Sequence, residues 1–404
     1  MIETINCHRF TIKQILKEHW DNYLSKYKDS LREDVIRTIE KMLSCRNPDK
    51  LGYHKYVCPE HPDEYIIVPH SCKTLFCNSC GKVFTDRWVE KIESDFPPAP
   101  FHHLCFTVPQ ELRPLLEEHR FLLDCLFRAS TQTVISFSEQ RGFLPAIVSS
   151  CHTFGRNLKF NPHLHMLMTS GGINLKGKKL NRWRECPFIP FKMPHKRYRF
   201  LLIQVLKNTI RKYVEKDPAP GTLALFSYPG VLDSFFNPFL NINWYVYDSS
   251  ELPPEGFTVS YLVRYAKRPP LAECRILDYG RKADSNDYTL TFSYKEREQP
   301  EVKWTLSVEK FMGLLIQHIP PKHSRQVRYY GALANRTRPL FKRILNKLFW
   351  RMKEMAPFIR WRERLISFTG KDPLRCPICQ KEMKLVEVAY FSKKSNSLSF
   401  YYPP

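Results

Sequence analysis

Two histidines separated by one leucine are the first residues in this 404-residue chain whose types and spacing suit a reaction centre. They lie in NPHLHMLMTSGG (161–172). On an extended strand side chains alternate, so the imidazoles of His163 and His165 leave one face while Leu164 and Met166 enter the opposite, buried one. Two nitrogen donors on one face suit a single divalent ion. A third donor is needed, and His152 on the preceding strand is the candidate. An isolated His-x-His is more often a pair of surface histidines. The apolar residues around this one, and Gly171-Gly172 just beyond it, which permit close backbone approach, set it apart.

A second constellation is YLVRY (261–265), read as part of a helix over 257–268 that Pro269-Pro270 stops. Tyr261 and Tyr265, at i and i+4, share a helical face, and Arg264, Lys267 and Arg268 add positive charge beside them. A phenol titrates near 10 and is a weak nucleophile. It attacks a phosphodiester well only when the phosphate is polarised by a metal or by neighbouring cations.

The cysteines form a third group. In YVCPEHPDEYIIVPHSCKTLFCNSCGK, Cys58-x-x-His61 is followed by Cys72 and then by Cys77-x-x-Cys80, a pattern similar to the paired knuckles of a zinc ribbon. Cys58, His61, Cys77 and Cys80 are the expected tetrahedral set, with Cys72 a spare or replacement ligand. Four protein donors leave no open position, so this Zn2+ is expected to be structural. Cys376-x-x-Cys379 is half of such a site, with no partner knuckle after it. Pairing in a dimer, ligands borrowed from elsewhere in the chain, and inertness all remain open for it.

The elements that must position these groups follow from periodicity. Apolar residues from Thr11 to about Leu43 recur at helical spacing, giving a helical lead-in over 1–44. A small zinc-ribbon-like module follows over 45–95. Over 96–340 strands alternate with helices: FHHLCFTVP (101–109), strands near 144–153 and 159–169, a strand in FLNINWYVYDS (239–249), a strand pair near 274–306, and helices near 112–140 and 307–318. The expected class is α+β, one catalytic domain with a central sheet. Residues 341–404 form a basic helical region carrying the last knuckle.

Composition restricts the partner. Lys and Arg number 63 against 40 Asp and Glu, a formal charge of +23 spread over several segments, which favours a polyanion, with nucleic acid ahead of membrane. No apolar run reaches the roughly 20 residues of a bilayer span, and the opening residues lack a signal-peptide core, so a cytoplasmic protein without membrane partners is expected. Thirteen cysteines in that compartment point to metal ligation rather than disulfides.

Together, SCKTLFCNSCGK, FHHLCFTVPQEL, CHTFGRNLKFNPHLHMLMTSGG, NWYVYD, YLVRYAKRPPLAECRI and EKFMGLLIQHIPPKHSRQVRYYGALANRTR resemble the two-tyrosine HUH transposases of the insertion sequence 91 family, which carry an N-terminal zinc-binding domain. The match runs from about Tyr53 to Arg338. His61 departs from it, since a Cys is more usual there. The resemblance implies an HUH-endonuclease-like domain with a central antiparallel sheet flanked by helices. It further implies His163 and His165 as ligands of Mg2+ or Mn2+, and Tyr261 and Tyr265 as nucleophiles that cut single-stranded DNA through a 5′-phosphotyrosine in rolling-circle transposition. The DNA would be the transposon ends and the target. Arg264, Lys267, Arg268 and Arg328 are the expected DNA contacts, with Trp183, Arg184, Tyr198, Arg325 and Tyr329 as further stacking or phosphate-binding candidates, although for Arg328 and these five, each taken singly, an ordinary core aromatic or a solvated charge is the better reading. Replication initiators and relaxases use the same chemistry, but the zinc module and VRYYGALANR favour the transposase. A zinc-dependent DNA-binding protein without catalysis is the rival of another class. Oligomeric state is not legible.

Overall fold

Amphipathic spacing near the start of the chain produces two helices, α1 (Ile12–Tyr27) and α2 (Glu33–Leu43). The Thr11 hydroxyl caps α1 by accepting from the Gln14 amide, satisfying one of the donors a helix start leaves open. The structure is a computed structural model that describes residues 9–95, 100–175, 183–186, 192–215, 221–242, 244–248, 269–282, 287–295, 299–349, 362–363, 366, 370–392, 395 and 397–403. Two compact units emerge, one formed by 1–85, 271–319 and 356–404 and the other by 86–270 and 320–355.

In the first unit α2 leads through a short helix α3 (Pro48–Leu51) into β1 (Gly52–Val57) and β2 (Tyr65–Pro69). These strands join β12 (Lys384–Ser392) and β13 (Ser397–Tyr401) in an antiparallel sheet of order β13-β12-β1-β2. Tyr53 thereby faces Ala389, and the Tyr53 hydroxyl donates to the Glu387 carboxylate at 2.6 Å. The sequence reading places β1 and β12 in separate domains, 45–95 and 341–404, and takes the latter as helical, yet that segment supplies the strands β12 and β13 to a sheet common to both. A second sheet of order β10-β9-β8 is built from β8 (Ile276–Arg281), β9 (Tyr288–Lys295) and β10 (Glu301–Ser307), three strands where a pair is expected. Helix α9 (Val308–Ile316), capped by Ser307, packs against α1.

The second unit is built on a long antiparallel sheet of order β11-β4-β5-β3-β7, with β6 (Trp183–Glu185) paired to β5. Its strands are β3 (Phe101–Thr107), β4 (Phe143–Phe154), β5 (Phe160–Asn174), β7 (Val246–Asp248) and β11 (Val327–Gly331). One face presents Leu104, Phe106, Ile147, Cys151, Leu164, Met166 and Met168 to α6 (Leu123–Gln140) and α7 (Lys192–Val214), forming an extensive core. The short helices α5 (Arg113–Glu118) and α8 (Val231–Phe236) also contribute, through Leu115, Leu116, Leu232 and Phe236. Part of the other face is closed by Trp88, Val89 and Ile92 of α4 (Asn78–Asp95) and by Phe341, Ile344 and Leu345 of α10 (Arg338–Phe349), packed with Val148 and Leu167. The remainder of that face carries the histidines.

Gly171 and Gly172 sit where β5 is crowded from both sides. A Cβ on Gly172 would stand 2.0 Å from the Leu144 carbonyl oxygen, and one on Gly171, at φ +125, would meet the Arg184 carbonyl oxygen at 2.3 Å. Only glycine admits β4 and β6 at this distance.

Candidate functional site

The β4–β5 register sets His152 directly opposite His163 and Ser150 opposite His165, so all three imidazoles share one sheet face. Their rings lie 4.7 to 5.4 Å apart between centroids, and one nitrogen of each falls within 4.8 Å of the others. His152 and His165 are buried and His163 is half-buried. Three converging imidazole nitrogens are a donor set for one divalent ion.

Two contacts orient the rings. The Nδ1 of His163 lies 2.7 Å from the Asn161 carbonyl oxygen. A carbonyl only accepts, so Nδ1 carries the proton and the neutral ring keeps its Nε2 lone pair for a ligand. His165 Nδ1 stands 3.0 Å from Nε2 of His103 on β3. If the His165 Nδ1 is the donor of this pair, Nε2 is the ligand atom of His165, and His103 takes the place of the group behind a metal-bound imidazole. His103 is absent from the sequence-level candidates. Its signal is the alternation of FHHLCFT, which sets His103 and Cys105 on the histidine face and Leu104 and Phe106 in the core.

The other expected residues are distributed as follows. Tyr261, Tyr265, Arg264, Lys267 and Arg268 lie outside the described residues. Arg328 pairs with Ser149 across β11–β4, on the face opposite the histidines, where its guanidinium is ion-paired to Asp124 of α6 and lies over the Phe127 ring. Tyr198 is fully buried between Phe106 and Trp244, which removes it from any set of exposed stacking residues. Tyr329 packs against the Trp88 cluster and its hydroxyl accepts from Trp88 Nε1 at 2.7 Å. Trp183 packs there too, while Arg184 and Arg325 are exposed.

The zinc ligand set expected from spacing is divided. Cys77 and Cys80 gather with Cys72 and with Cys45, a residue the sequence reading leaves out, and Cys58 and His61 gather with Cys376 and Cys379. The division has a simple cause. Cys45 follows α2 directly and Cys72 follows β2, so both reach the start of α4, where Cys77 and Cys80 sit, whereas the β1–β2 turn carries Cys58 and His61 elsewhere. Tetrahedral zinc with bonds of about 2.3 Å to sulfur requires sulfurs about 3.8 Å apart. Cys45–Cys80, Cys72–Cys80 and Cys45–Cys77 are 3.7, 3.5 and 4.0 Å apart.

Comparisons with known proteins give the class first. A family model described as "Putative transposase" matches residues 146–339, which include the three histidines, and one described as "Transposase zinc-binding domain" matches residues 15–108. The transposase for insertion sequence element IS801 of Pseudomonas savastanoi pv. phaseolicola is 30% identical over 359 residues, covering 87% of this chain and 83% of that protein. A protein described as "Putative transposase y4qJ", from Sinorhizobium fredii, is 23% identical over 397 residues, covering 93% and 95% respectively. No solved structure matches. The chain is a transposase, and its substrate is therefore DNA. It belongs to the insertion sequence 91 family of transposases. No described helix is long and apolar enough to cross a membrane.

Proposed function

We propose that this transposase cuts and rejoins single-stranded DNA at the ends of its element and at the target, through a covalent 5′-phosphotyrosine, in rolling-circle transposition. The observation that carries the reading is the convergence of His152, His163 and His165 on one sheet face, with the Nε2 lone pair of His163 fixed outward by the Asn161 carbonyl. Mg2+ or Mn2+ held by these three residues would neutralise charge developing on the non-bridging oxygens of the scissile phosphate. Tyr261 or Tyr265 attacks phosphorus in line, the bond to the 3′-oxygen breaks, and the phenol proton is balanced by the one the 3′-oxygen takes up. The phosphotyrosine conserves the phosphodiester energy, so a 3′-hydroxyl can rejoin the strand without ATP. A second tyrosine lets a second strand be cut while the first stays attached. Arg264, Lys267 and Arg268, adjacent in sequence to the tyrosines, are proposed to hold backbone phosphates.

Cys45, Cys72, Cys77 and Cys80 are proposed to bind a structural Zn2+, on the strength of their sulfur separations and their place in the zinc-binding domain. The test is a covalent-capture assay: purified protein is mixed with end-labelled single strands carrying the element's termini, with Mn2+ or with EDTA. A denaturation-resistant adduct is expected with Mn2+, absent with EDTA, in His163→Ala, and in the Tyr261→Phe plus Tyr265→Phe variant. DNA binding without an adduct under every condition would leave a zinc-dependent binding protein as the better reading.

A further inference from the structure

The geometry points to a second Zn2+ site, formed by Cys58, His61, Cys376 and Cys379, that clasps two distant stretches of chain within the first unit. Each stretch supplies a two-donor knuckle, and neither is a site alone. On one side the Cys58 amide donates to the Glu64 carbonyl at 3.0 Å and the Glu64 amide to the His61 carbonyl at 2.9 Å, closing the turn after β1. On the other the Cys376 amide donates to the Lys381 carbonyl at 2.9 Å and the Gln380 amide to the Cys376 carbonyl at 3.0 Å, with Gln380 in the left-handed region at φ +59. The β1–β12 pairing brings the knuckles together.

The separations are those of a tetrahedral Cys3His centre. Cys58 and Cys379 sulfurs lie 3.6 Å apart, and His61 Nδ1 lies 3.7 Å from Cys58 and 3.8 Å from Cys376. Zinc bonds of about 2.3 Å to sulfur and about 2.05 Å to nitrogen require about 3.6 to 3.8 Å. Cys58 and Cys376 are fully buried and pack with Met383. An ion pair from Lys381 to Glu60 at 2.9 Å crosses between the knuckles. The zinc-binding match ends at residue 108 and contains only two of these four donors.

The test counts metal. Full-length protein carrying His163→Ala and His165→Ala, which removes the imidazole centre from the count, is loaded with Zn2+, desalted and assayed by mass spectrometry. Two equivalents are expected, falling to one in Cys376→Ser plus Cys379→Ser and to one in Cys72→Ser plus Cys77→Ser. His61→Cys retains two, and its Co2+ form gains sulfur-to-cobalt charge-transfer intensity. A single equivalent in the starting protein, two retained after Cys376→Ser plus Cys379→Ser, or an unchanged Co2+ spectrum in His61→Cys would each overturn the site.

A different observation carries a second assignment: Tyr245 and Tyr247 form a stacking platform for bases of single-stranded DNA, an inference that rests on the strand-transfer reading above. Tyr247 faces Cys105 across β7–β3, and Cys105 faces His165 across β3–β5, so Tyr247 and His165 share one cross-strand row on the same face. Two strand spacings put them about 10 Å apart, the reach of one or two nucleotides. The tyrosine rings stack on each other at 6.0 Å and 12° and are 55% and 41% exposed, while Val246 between them is buried. Sequence-tolerant base stacking uses such exposed rings beside a phosphate site.

Binding is measured in EDTA, where no cutting occurs, using fluorescent oligo(dT) and an abasic strand of equal length. Wild type is expected to prefer oligo(dT), the Tyr245→Ala plus Tyr247→Ala variant to lose about tenfold or more on oligo(dT) alone, and the double Phe variant to keep the preference. Equal affinity of wild type for both strands, or a preference that survives in the double Ala variant, would overturn the platform without touching the covalent reading.

Discussion

The Nε2 of His103 lies 3.0 Å from the Nδ1 of His165, on the strand next to the one that carries the His-Leu-His pair. In the proposed metal centre His103 would act through His165, holding its ring and its tautomer. His103→Ala is expected to weaken the apparent Mn2+ affinity of DNA cutting by about 10- to 100-fold, with the rate at saturating Mn2+ changed far less. An Mn2+ titration of adduct formation checks this; an unchanged midpoint would make His103 a bystander.

Gly172→Ala forces a methyl against the Leu144 carbonyl and is expected to cost about 3 kcal/mol or more. Gly280→Ala on β8 meets nothing within 4 Å and is expected to be close to neutral. Thermal melts of the two proteins beside wild type settle the contrast, and equal melting temperatures would contradict the packing described at β5.

Asp372 accepts from Arg362 at 2.8 and 2.7 Å, and this pairing holds its carboxyl below the usual range. An unfolded aspartate titrates near 3.9, so the pair's contribution is complete well above that value and is lost as pH falls through the lower folded one. Asp372→Asn should therefore lower Tm at pH 7, and the gap from wild type should close as the pH is taken below about 4. A gap independent of pH would rule out the charge as its source.

Arg328→Ala is expected to lower Tm through loss of the Asp124 and Phe127 contacts. The slope of log affinity for single-stranded DNA against log salt should stay unchanged. A slope smaller by about 0.7 would assign the guanidinium to a phosphate instead.

The convergence of the three histidines was legible because its geometry is local: one strand alternation fixes His163 and His165, and the neighbouring strand supplies His152. Helices α1 and α2 and the strands on either side of the histidines followed from periodicity for the same reason. The cysteine grouping was not legible. Spacing shows which residues form a knuckle but not which knuckles share a metal, and Cys376 meets His61 across 315 positions through a strand pairing that no local pattern announces. For Arg328 and Tyr198 the sequence could only set a DNA contact beside an ordinary structural place, since a basic or aromatic side chain reveals its burial and partners only once the sheet is assembled.

The β1–β12 pairing also has a consequence in time. Translation at about 5 to 20 residues per second leaves the β1–β2 hairpin waiting on the order of 20 to 60 s for the strand that completes its sheet. During that interval β1 presents an open edge, the surface most prone to pair with other chains. A copy of the gene interrupted before β12 yields a product that never loses that edge, so such products should be removed by aggregation or proteolysis instead of accumulating as competitors for the element's ends.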